Sequence, residues 1–308
     1  MNRSIVTGGA GFIGSSLVRA LLAAGHRVDV IDNLSTGKLD NLEEVADQIT
    51  VYEYDLCDYQ HIAPLIAGAH RVFHLGAIPS VPKSILDPLP SHNSNINGTF
   101  NVFRACAEGK VGRVVYAASS SAYGDTDVLP KVETMAPRPK SPYAVQKLLG
   151  EYYASVFAHC FNLETVSLRF FNVFGPRQDP TSPYSGVLSV FITCALENRS
   201  PTIFGDGKTT RGFTYIADAV AANILAMDAE GVAGEVFNTA GRGQTSINEL
   251  VAAVNKILGT SIEPIYGDPR LGDIKHSFAD ISKAEKMLGY KPQVSLEEGL
   301  KRTAETIE

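Results

Sequence analysis

A tyrosine and a lysine, two residue types with acid–base chemistry, stand four positions apart in the segment SPYAVQKLLGE. A helix over this segment places Tyr143 and Lys147 on one face. A tyrosine ordinarily titrates near ~10, so a phenol that acts as a base near neutral pH needs its pKa lowered by roughly 3 units, or about 4 kcal/mol. A neighbouring ammonium and a second positive charge in a poorly solvated site supply stabilisation of that order. The pair therefore predicts a general base.

A glycine-rich turn, TGGAGFIG, directly follows the first predicted strand and opens a helix. Glycines at positions 8, 11 and 14 let the chain turn tightly, approach a pyrophosphate and pack the helix close to the sheet. Eighteen residues after Gly14, Asp32 ends the second predicted strand. A carboxylate there accepts hydrogen bonds from a ribose 2′-hydroxyl and repels a 2′-phosphate. The turn and Asp32 predict a dinucleotide site that favours NAD over NADP, a preference that nearby Lys38 softens.

The elements that must position these groups are short apolar strands that alternate with helical patterns. The predicted strands are Ser4 to Thr7, Arg27 to Ile31, Thr50 to Tyr54, Arg71 to His74, Arg113 to Ala117 and Glu164 to Leu168. This alternation predicts an α/β fold, a doubly wound parallel (Rossmann) sheet with its ligand crevice at the carboxyl ends of the strands. The serines at 119, 120 and 121 follow the fifth strand and are expected to face that crevice.

The sequence pattern changes after Arg169, where turn-rich segments such as GPRQDPTSPYSG and FGDGKTTRG appear. We expect residues 1–170 to form the dinucleotide-binding domain, with 213–240 returning to it. Residues 171–212 and 241–308 are expected to form a smaller α/β substrate-binding lobe.

Composition excludes several classes of function. The 308 residues are 44% hydrophobic and carry a formal net charge of -6, which argues against a broad basic face for nucleic acid. The longest apolar runs fall far below the ~18 residues that a membrane span needs. The four cysteines are widely spaced, so they predict neither a disulfide frame nor a metal site. A cytoplasmic enzyme that binds neither nucleic acid nor membrane is expected.

The spacing GxxGxxG, the segments Asp55-Leu56 and HLGA (74–77), Asn95 and the Tyr143–Lys147 pair together resemble the extended branch of the short-chain dehydrogenase/reductase superfamily. The resemblance implies an NAD-dependent enzyme in which Ser119 completes a catalytic set with Tyr143 and Lys147. It implies cofactor contacts from Gly8, Gly11, Phe12, Ile13, Asp32, Asn33, Asp55, Leu56, Leu75, Ala77, Asn95, Tyr143, Lys147 and Phe170.

The segment LRFFNVFGP is similar to a nucleotide-sugar-binding segment of that branch, LRYFNVYGP. The resemblance implies a UDP-sugar held by Ser80, Ser119, Ser120, Ser121, Tyr143, Asn172, Arg211, Arg270 and Ser277. Dehydratases of the branch carry an Asp-Glu pair, and decarboxylases a glutamate, where this chain has Ser120 and Ser121. Without a carboxylic acid there, elimination lacks a proton donor, which leaves reversible oxidation at one carbon, the chemistry of an epimerase.

Several segments, among them SVPKSILDP and GDIKHSFAD, resemble the UDP-N-acetylglucosamine 4-epimerases. There, a small residue matching Ser277 leaves room for an N-acetyl group, although Pro79, which replaces a glycine before Ser80, reshapes that side. We expect interconversion of UDP-GlcNAc and UDP-GalNAc, with UDP-Glc and UDP-Gal as further substrates, by a homodimer. A UDP-glucuronate 4-epimerase, a keto-sugar reductase and a catalytically silent NAD-sensing regulator remain open alternatives.

Overall fold

A seven-stranded parallel sheet forms the centre of the computed structural model, which describes residues 2–126, 128–178, 187–269 and 276–306. The strands of this sheet and of three smaller ones are, in chain order, β1 Arg3–Thr7, β2 Arg27–Ile31, β3 Ile49–Tyr52, β4 Arg71–His74, β5 Arg113–Ser119, β6 Thr165–Phe170, β7 Val173–Phe174, β8 Thr202–Phe204, β9 Thr210–Arg211, β10 Thr214–Tyr215, β11 Glu235–Thr239, β12 Thr245–Ser246, β13 Ile265–Gly267 and β14 His276–Ser277. The order in the central sheet is β11-β6-β5-β4-β1-β2-β3. The chain therefore reverses direction of winding between β1 and β4, which is where a doubly wound sheet opens its ligand crevice. The predicted fold class is confirmed.

Helices cover both faces of this sheet. They are α1 Phe12–Ala23, α2 Tyr59–Ile66, α3 Val81–Leu86, α4 Pro88–His92, α5 Thr99–Glu108, α6 Pro142–Phe161, α7 Val187–Leu196, α8 Ile216–Asp228, α9 Ile247–Leu258, α10 Ser282–Leu288 and α11 Leu296–Ala304. Helices α1 and α8 pack on one face, and α2, α5 and α6 on the other. Successive strand residues point to opposite faces, so Ile5 joins the core under α2 and α5 while Val6 joins the core under α1. Both faces are apolar because both are buried.

Two strands, β5 and β6, extend past their predicted ends, whereas β3 ends at Tyr52, two residues before the predicted end at Tyr54. The fifth strand was expected to stop at Ala117, but β5 runs on to Ser119, which pairs with Phe170 of β6. Apolar patterning marks only the buried part of a strand, whereas the hydrogen-bonded ladder continues for as long as its partner does. As a result, Ser119 stands at the end of a strand in the middle of the sheet.

Residues beyond β6 divide between the sheet and smaller structures. In the segment 213–240, β11 pairs in parallel with β6 and α8 lies against β5 and β6. Three small sheets, β7–β10, β12–β9–β14 and β8–β13, are accompanied by α7, α9 and α11, which pack on one another around α9. A capping box between Ser246 and Glu249 begins α9. Among the described residues, no helix is both long and apolar enough to cross a membrane.

A buried histidine joins β1 and β4, the two strands between which the direction of winding reverses. The ring of His74, at the end of β4, hydrogen-bonds Thr7 of β1 at 2.7 Å and Thr99 of α5 at 2.9 Å. Burial, together with the smaller effect of the Lys147 charge, lowers the pKa of His74 to about 3. The imidazole is therefore neutral at ordinary pH, and its two nitrogens hold β1, β4 and α5 together beneath the crevice.

Candidate active site

A cavity of about 730 Å³ opens at the carboxyl ends of β1, β2, β4, β5 and β6. The residues predicted from the sequence that line it are Gly8, Gly11, Phe12, Ile13, Asp32, Asn33, Asp55, Leu56, Leu75, Ala77, Ser119, Ser120, Ser121, Tyr143, Lys147, Phe170, Asn172, Arg211 and Ser277. Sequence positions from 8 to 277 thus meet around one space. Its volume lies within the range of small-molecule and cofactor sites.

The glycine turn forms the floor of this cavity through close backbone contacts. Gly8 has a φ of 70°, and the Gly11 N–H donates to the Gly8 carbonyl at 3.1 Å. A Cβ on Gly14 would lie 2.1 Å from the Gly8 oxygen. The N-cap of α1 is Gly11, whose missing side chain leaves the first helical N–H groups open to the cavity. A cradle that any side chain would fill, at a helix N-terminus, fits the pyrophosphate of a dinucleotide.

Two carboxylates mark the end of the cavity beyond the glycine turn. Asp32 accepts hydrogen bonds from the N–H groups of Ala10 and Leu34, both at 2.9 Å. Burial raises the pKa of Asp32, and these two donors oppose the rise. Asp55 accepts from the Asn33 side chain at 2.7 Å, and although burial raises its pKa, its hydrogen bonds bring the pKa below the ordinary value. Acceptors at this end suit the hydroxyls of a ribose.

The helix that carries Tyr143 and Lys147 is fixed at its first turn by two serines. Ser141 caps α6 by accepting from the Ala144 N–H at 3.2 Å, and Pro142 follows at the first helical position. The buried Ser84 of α3 accepts from the backbone N–H of Tyr143 at 3.1 Å. Sequence reasoning missed Ser84, because nothing in its local pattern indicates a partner 59 residues away. It sets the position of the phenol-bearing residue.

The phenol of Tyr143 hydrogen-bonds a serine hydroxyl, and Lys147 follows it one helical turn later on α6. Burial raises the pKa of Tyr143, and a hydrogen bond with Ser119 opposes the rise. Lys147 donates to the Ala117 carbonyl at 2.8 Å and lies 5.0 Å from the Tyr116 ring centre. Burial lowers the pKa of Lys147 to about 8. Burial thus moves the phenol pKa opposite to what a base requires, and positive charge in the cavity would act against that rise.

The serine turn after β5 offers hydroxyls and no carboxylate. Ser119 accepts from the Ser121 hydroxyl at 2.8 Å and from its backbone N–H at 3.2 Å. Among the described residues that line the cavity, the carboxylates are Asp32 and Asp55, which belong to the ends of β2 and β3 on the other side of β1. A general acid for elimination is therefore missing from the described wall around Ser119.

Ser80 and Asn95, two predicted site residues, are not among the described residues that line this cavity. Ser80 caps α3 by accepting from the Lys83 N–H at 3.2 Å. Asn95 is buried and holds both backbone groups of Ile78, at 2.8 Å and 3.1 Å. These two side chains support the wall segment 77–82 from behind, and their direct ligand contacts stay predictions. Arg270 lies outside the described residues.

The opposite end of the cavity is built from the small sheets. Asn172 donates to the Gly212 carbonyl at 2.8 Å. Ser277 of β14 pairs in parallel with Arg211 of β9, so the two residues stand side by side at the wall. A second cavity of about 260 Å³ shares Asn172 and Arg211 with the first and is lined largely by apolar groups, including Phe204 and Phe213. Asn172 and Arg211 therefore lie where the two cavities meet.

The segment 4–240 matches the model of the NAD dependent epimerase/dehydratase family. The chain belongs to this family. A UDP-glucose 4-epimerase of Mycolicibacterium smegmatis is 38% identical over 308 residues, which covers 98% of this chain and 97% of that protein. The structure of a UDP-N-acetylglucosamine 4-epimerase from Methanobrevibacter ruminantium, in complex with UDP-N-acetylmuramic acid, matches with 39% identity and a TM-score of 0.95 over 99% of this chain and 98% of that one.

A UDP-glucuronic acid 4-epimerase from Bacillus cereus, in complex with UDP-glucuronic acid and NAD, matches with 35% identity and a TM-score of 0.92, again over 99% and 98% of the two chains. The predicted family, the predicted enzyme class, an NAD-dependent nucleotide-sugar epimerase, and the predicted cofactor NAD are confirmed. These relatives differ in the sugar that their names specify. The individual roles assigned to the cavity residues stay predictions.

Proposed function

We propose that this family member is a UDP-sugar 4-epimerase that interconverts UDP-GlcNAc and UDP-GalNAc, with UDP-Glc and UDP-Gal as further substrates. The observation that carries the proposal is the pairing of Ser119, Tyr143 and Lys147 in one cavity whose serine turn has no carboxylic acid. This set supports oxidation and re-reduction at one carbon and does not support elimination.

In the proposed reaction, Tyr143 accepts the proton of the sugar 4-hydroxyl at its phenolic oxygen. The Ser119 hydroxyl, which Ser121 holds in place, donates a hydrogen bond to the same sugar oxygen. Lys147 stabilises the phenolate by its positive charge. When bound, NAD supplies a hydride acceptor and then a hydride donor, and its oxidised ring adds positive charge to the cavity. A ketone at C4 then turns within the pocket and regains its proton from Tyr143.

A diphosphate anchor allows the sugar to turn without leaving. Arg211 lies at the boundary of the two cavities, and its guanidinium suits the directed hydrogen bonds of a phosphate. The apolar pocket beyond it has room for a flat base beside Phe204 and Phe213. This arrangement supports a substrate gripped at its nucleotide and loosely held at its sugar ring.

The small side chain of Ser277 is proposed to determine which sugar the enzyme accepts. We expect wild type to convert UDP-GlcNAc, and Ser277→Tyr to lose at least about 100-fold in kcat/KM for UDP-GlcNAc while keeping most of its activity on UDP-Glc, because the phenol fills the space of the N-acetyl group. Assays of C4 epimer formation from UDP-GlcNAc, UDP-Glc and UDP-GlcUA measure this. Ser277→Ala, which stays small, serves as the matched control.

Conversion of UDP-GlcUA alone by wild type would instead identify a glucuronate epimerase, the activity named for the Bacillus cereus relative. Heat denaturation of the purified protein tests the reductase alternative. An epimerase that retains its cofactor releases about one NAD per chain, whereas a reductase consumes reduced cofactor in proportion to product. Absence of any turnover with intact bound NAD would favour a regulator.

We propose further that the protein forms a homodimer through α5 and α6. Helix α6 exposes an apolar stripe, Val145, Tyr152 and Val156, at 42%, 53% and 48%, and Phe100 of α5 is 38% exposed beside it. Spacings of seven and eleven residues place the stripe on one side of α6. A second copy that presents the same two helices would cover both stripes around a twofold axis.

Light scattering after size-exclusion chromatography tests the dimer. Tyr152→Glu is expected to shift the protein to a monomer, because a carboxylate buried at the centre of the interface has no partner. Tyr266→Glu is the matched control, since Tyr266 is similarly exposed, at 54%, on β13. A wild-type monomer, or a Tyr152→Glu dimer of unchanged affinity, would contradict the assignment.

A further inference from the structure

A buried ion pair lies behind the catalytic lysine. Glu151 follows Lys147 by four residues on α6, so both face the same way. Its carboxylate accepts two hydrogen bonds from the Arg169 guanidinium of β6, at 2.9 Å and 2.6 Å. The two residues are 3% and 4% exposed. Burial raises the pKa of Glu151, and the charges of Arg169 and Lys147 oppose that rise. Glu151 is not among the described residues that line the cavity, so its carboxylate lies behind the cavity wall.

Further contacts prevent the pair from turning away. The Arg169 guanidinium lies 4.6 Å from the Tyr123 ring centre, and the Tyr123 hydroxyl donates to the buried Asn238 side chain at 2.6 Å. Asn238 in turn donates to the carbonyls of Lys131 and Asp280 at 3.0 Å and 3.1 Å. Since each member is buried and held, the Glu151 carboxylate has a fixed position relative to α6.

The charged and titratable groups that face Lys147 come from three strands and its own helix. They are His74 of β4, Tyr116 of β5 and Glu151 of α6, with Arg169 of β6 bound to the far side of Glu151 and Tyr143 one helical turn before Lys147. Of the ionisable residues on α3, α4 and α5, which also pack on α6, Lys83, His92, Arg104 and Glu108 are exposed. The remaining one, Cys106 of α5, is buried, and burial raises the pKa of its thiol, which is therefore neutral. His74 is neutral, and Tyr116 and Tyr143 carry no charge in their protonated forms. Among the described groups, Glu151 is therefore the one standing negative charge near the Lys147 ammonium.

Stability alone does not account for this pair. A buried Glu–Arg pair is typically no more stabilising than well-packed apolar residues of the same size. A negative charge next to a buried ammonium, however, keeps that ammonium protonated to higher pH.

We infer that Glu151 is a positioning residue for the reaction: its carboxylate keeps Lys147 charged, and thereby keeps Tyr143 effective as a base, at alkaline pH. This inference rests on the roles proposed above for Tyr143 and Lys147. It concerns a residue that touches neither substrate nor cofactor and acts through Lys147.

The test compares the pH profiles of kcat/KM for wild type, Glu151→Gln and the double variant Glu151→Gln/Arg169→Met. Loss of the carboxylate lowers the pKa of Lys147, so the alkaline limb is expected to move to lower pH. Above that limb, the variants should fall about tenfold further below wild type than they do at neutral pH. The double variant leaves no unpaired guanidinium in the core, and because Glu151 is the partner that raises the pKa of Lys147, its limb should move in the same direction.

Glu151→Asp is the matched control, because it keeps the charge while it disturbs packing. It should lose thermal stability, and its alkaline limb should move towards lower pH by less than that of Glu151→Gln, because the shorter side chain keeps the charge at a longer distance from Lys147. A carbon NMR titration of isotope-labelled lysine, with Lys147→Met to assign the signal, gives a readout independent of turnover, and the Lys147 midpoint should move to lower pH in either variant that lacks the carboxylate.

Alkaline limbs and lysine midpoints that coincide with wild type, with activity lowered equally at all pH values, would overturn the inference and leave Glu151 a structural residue. Should both Glu151→Gln variants fail to fold, a Glu151→Asp limb moved towards lower pH by the longer charge separation still supports the inference, and an unmoved lysine midpoint in that variant overturns it. Retention of full activity by Tyr143→Phe and Lys147→Met would reject the proposed catalytic roles instead, so the two failures are distinguishable.

Discussion

A Tyr143→Phe variant is expected to lose about 10³-fold or more in kcat, which is the scale of a lost general base. Phenylalanine keeps the ring in the wall of the cavity and removes the hydroxyl that hydrogen-bonds Ser119. Since burial raises the pKa of this phenol, we expect its action as a base to depend on the positive charge of Lys147 and of the bound cofactor. Epimer formation under saturating substrate measures the loss.

Tyr153→Phe provides the control for this variant, because Tyr153 lies on the same helix but packs with Phe100 and Phe157. Its activity should stay within about threefold of wild type, the scale of a minor packing change. Both variants should retain NAD and melt near the wild-type temperature. A Tyr143→Phe enzyme with undiminished turnover would remove Tyr143 from the mechanism.

Replacement of Gly14 by alanine is expected to abolish NAD retention. The new Cβ would lie 2.1 Å from the Gly8 oxygen and 2.8 Å from the Gly9 Cα, both backbone atoms that cannot move without opening the turn. Overpacking of this kind costs about 1–3 kcal/mol. A loss of that size in NAD binding, caused by the displaced N–H groups, is a loss of about tenfold in affinity for each 1.4 kcal/mol. The NAD released per chain on heat denaturation, and titration of the apoprotein with NAD, measure the effect.

Ser16→Ala is the corresponding control, since Ser16 lies on the same helix and its hydroxyl bonds Phe12 and Arg177 at the surface, away from the Gly8 carbonyl. It should carry as much NAD as wild type. If Gly14→Ala also carried a full complement of NAD at the wild-type melting temperature, the close contact between α1 and the glycine turn could not be what forms the cradle.

Much of the site follows from features that are local in the chain. The glycine turn, the start of α1 and Asp32 lie within two βα units, and Tyr143 and Lys147 lie one helical turn apart, so spacing alone predicts their relation. The same holds for the parallel sheet, since apolar strands that alternate with helices have few ways to pack. These parts of the prediction required no knowledge of distant contacts.

The supporting contacts do not follow from spacing. Ser84 meets the Tyr143 N–H, Asn95 meets the backbone of Ile78, and Glu151 meets Arg169, each through elements that different parts of the chain bring together. Sequence reasoning placed Asn95 and Ser80 in contact with ligands, which stays a prediction, and the structure shows that both side chains support the wall of the cavity from behind. A polar residue near a strand end is suited to either place, and only the packing around it decides.

The amino-acid sequence by itself determined the fold class, the cofactor and the family, because these depend on residue types at fixed separations along single strands and helices. Tertiary structure alone decided the direction of the pKa shifts of Tyr143 and Lys147, the identity of the buried partners and the pairing of Arg211 with Ser277 at the wall. The physical reason is that burial and charge at one atom depend on every group packed around it, and most of those groups come from distant parts of the chain.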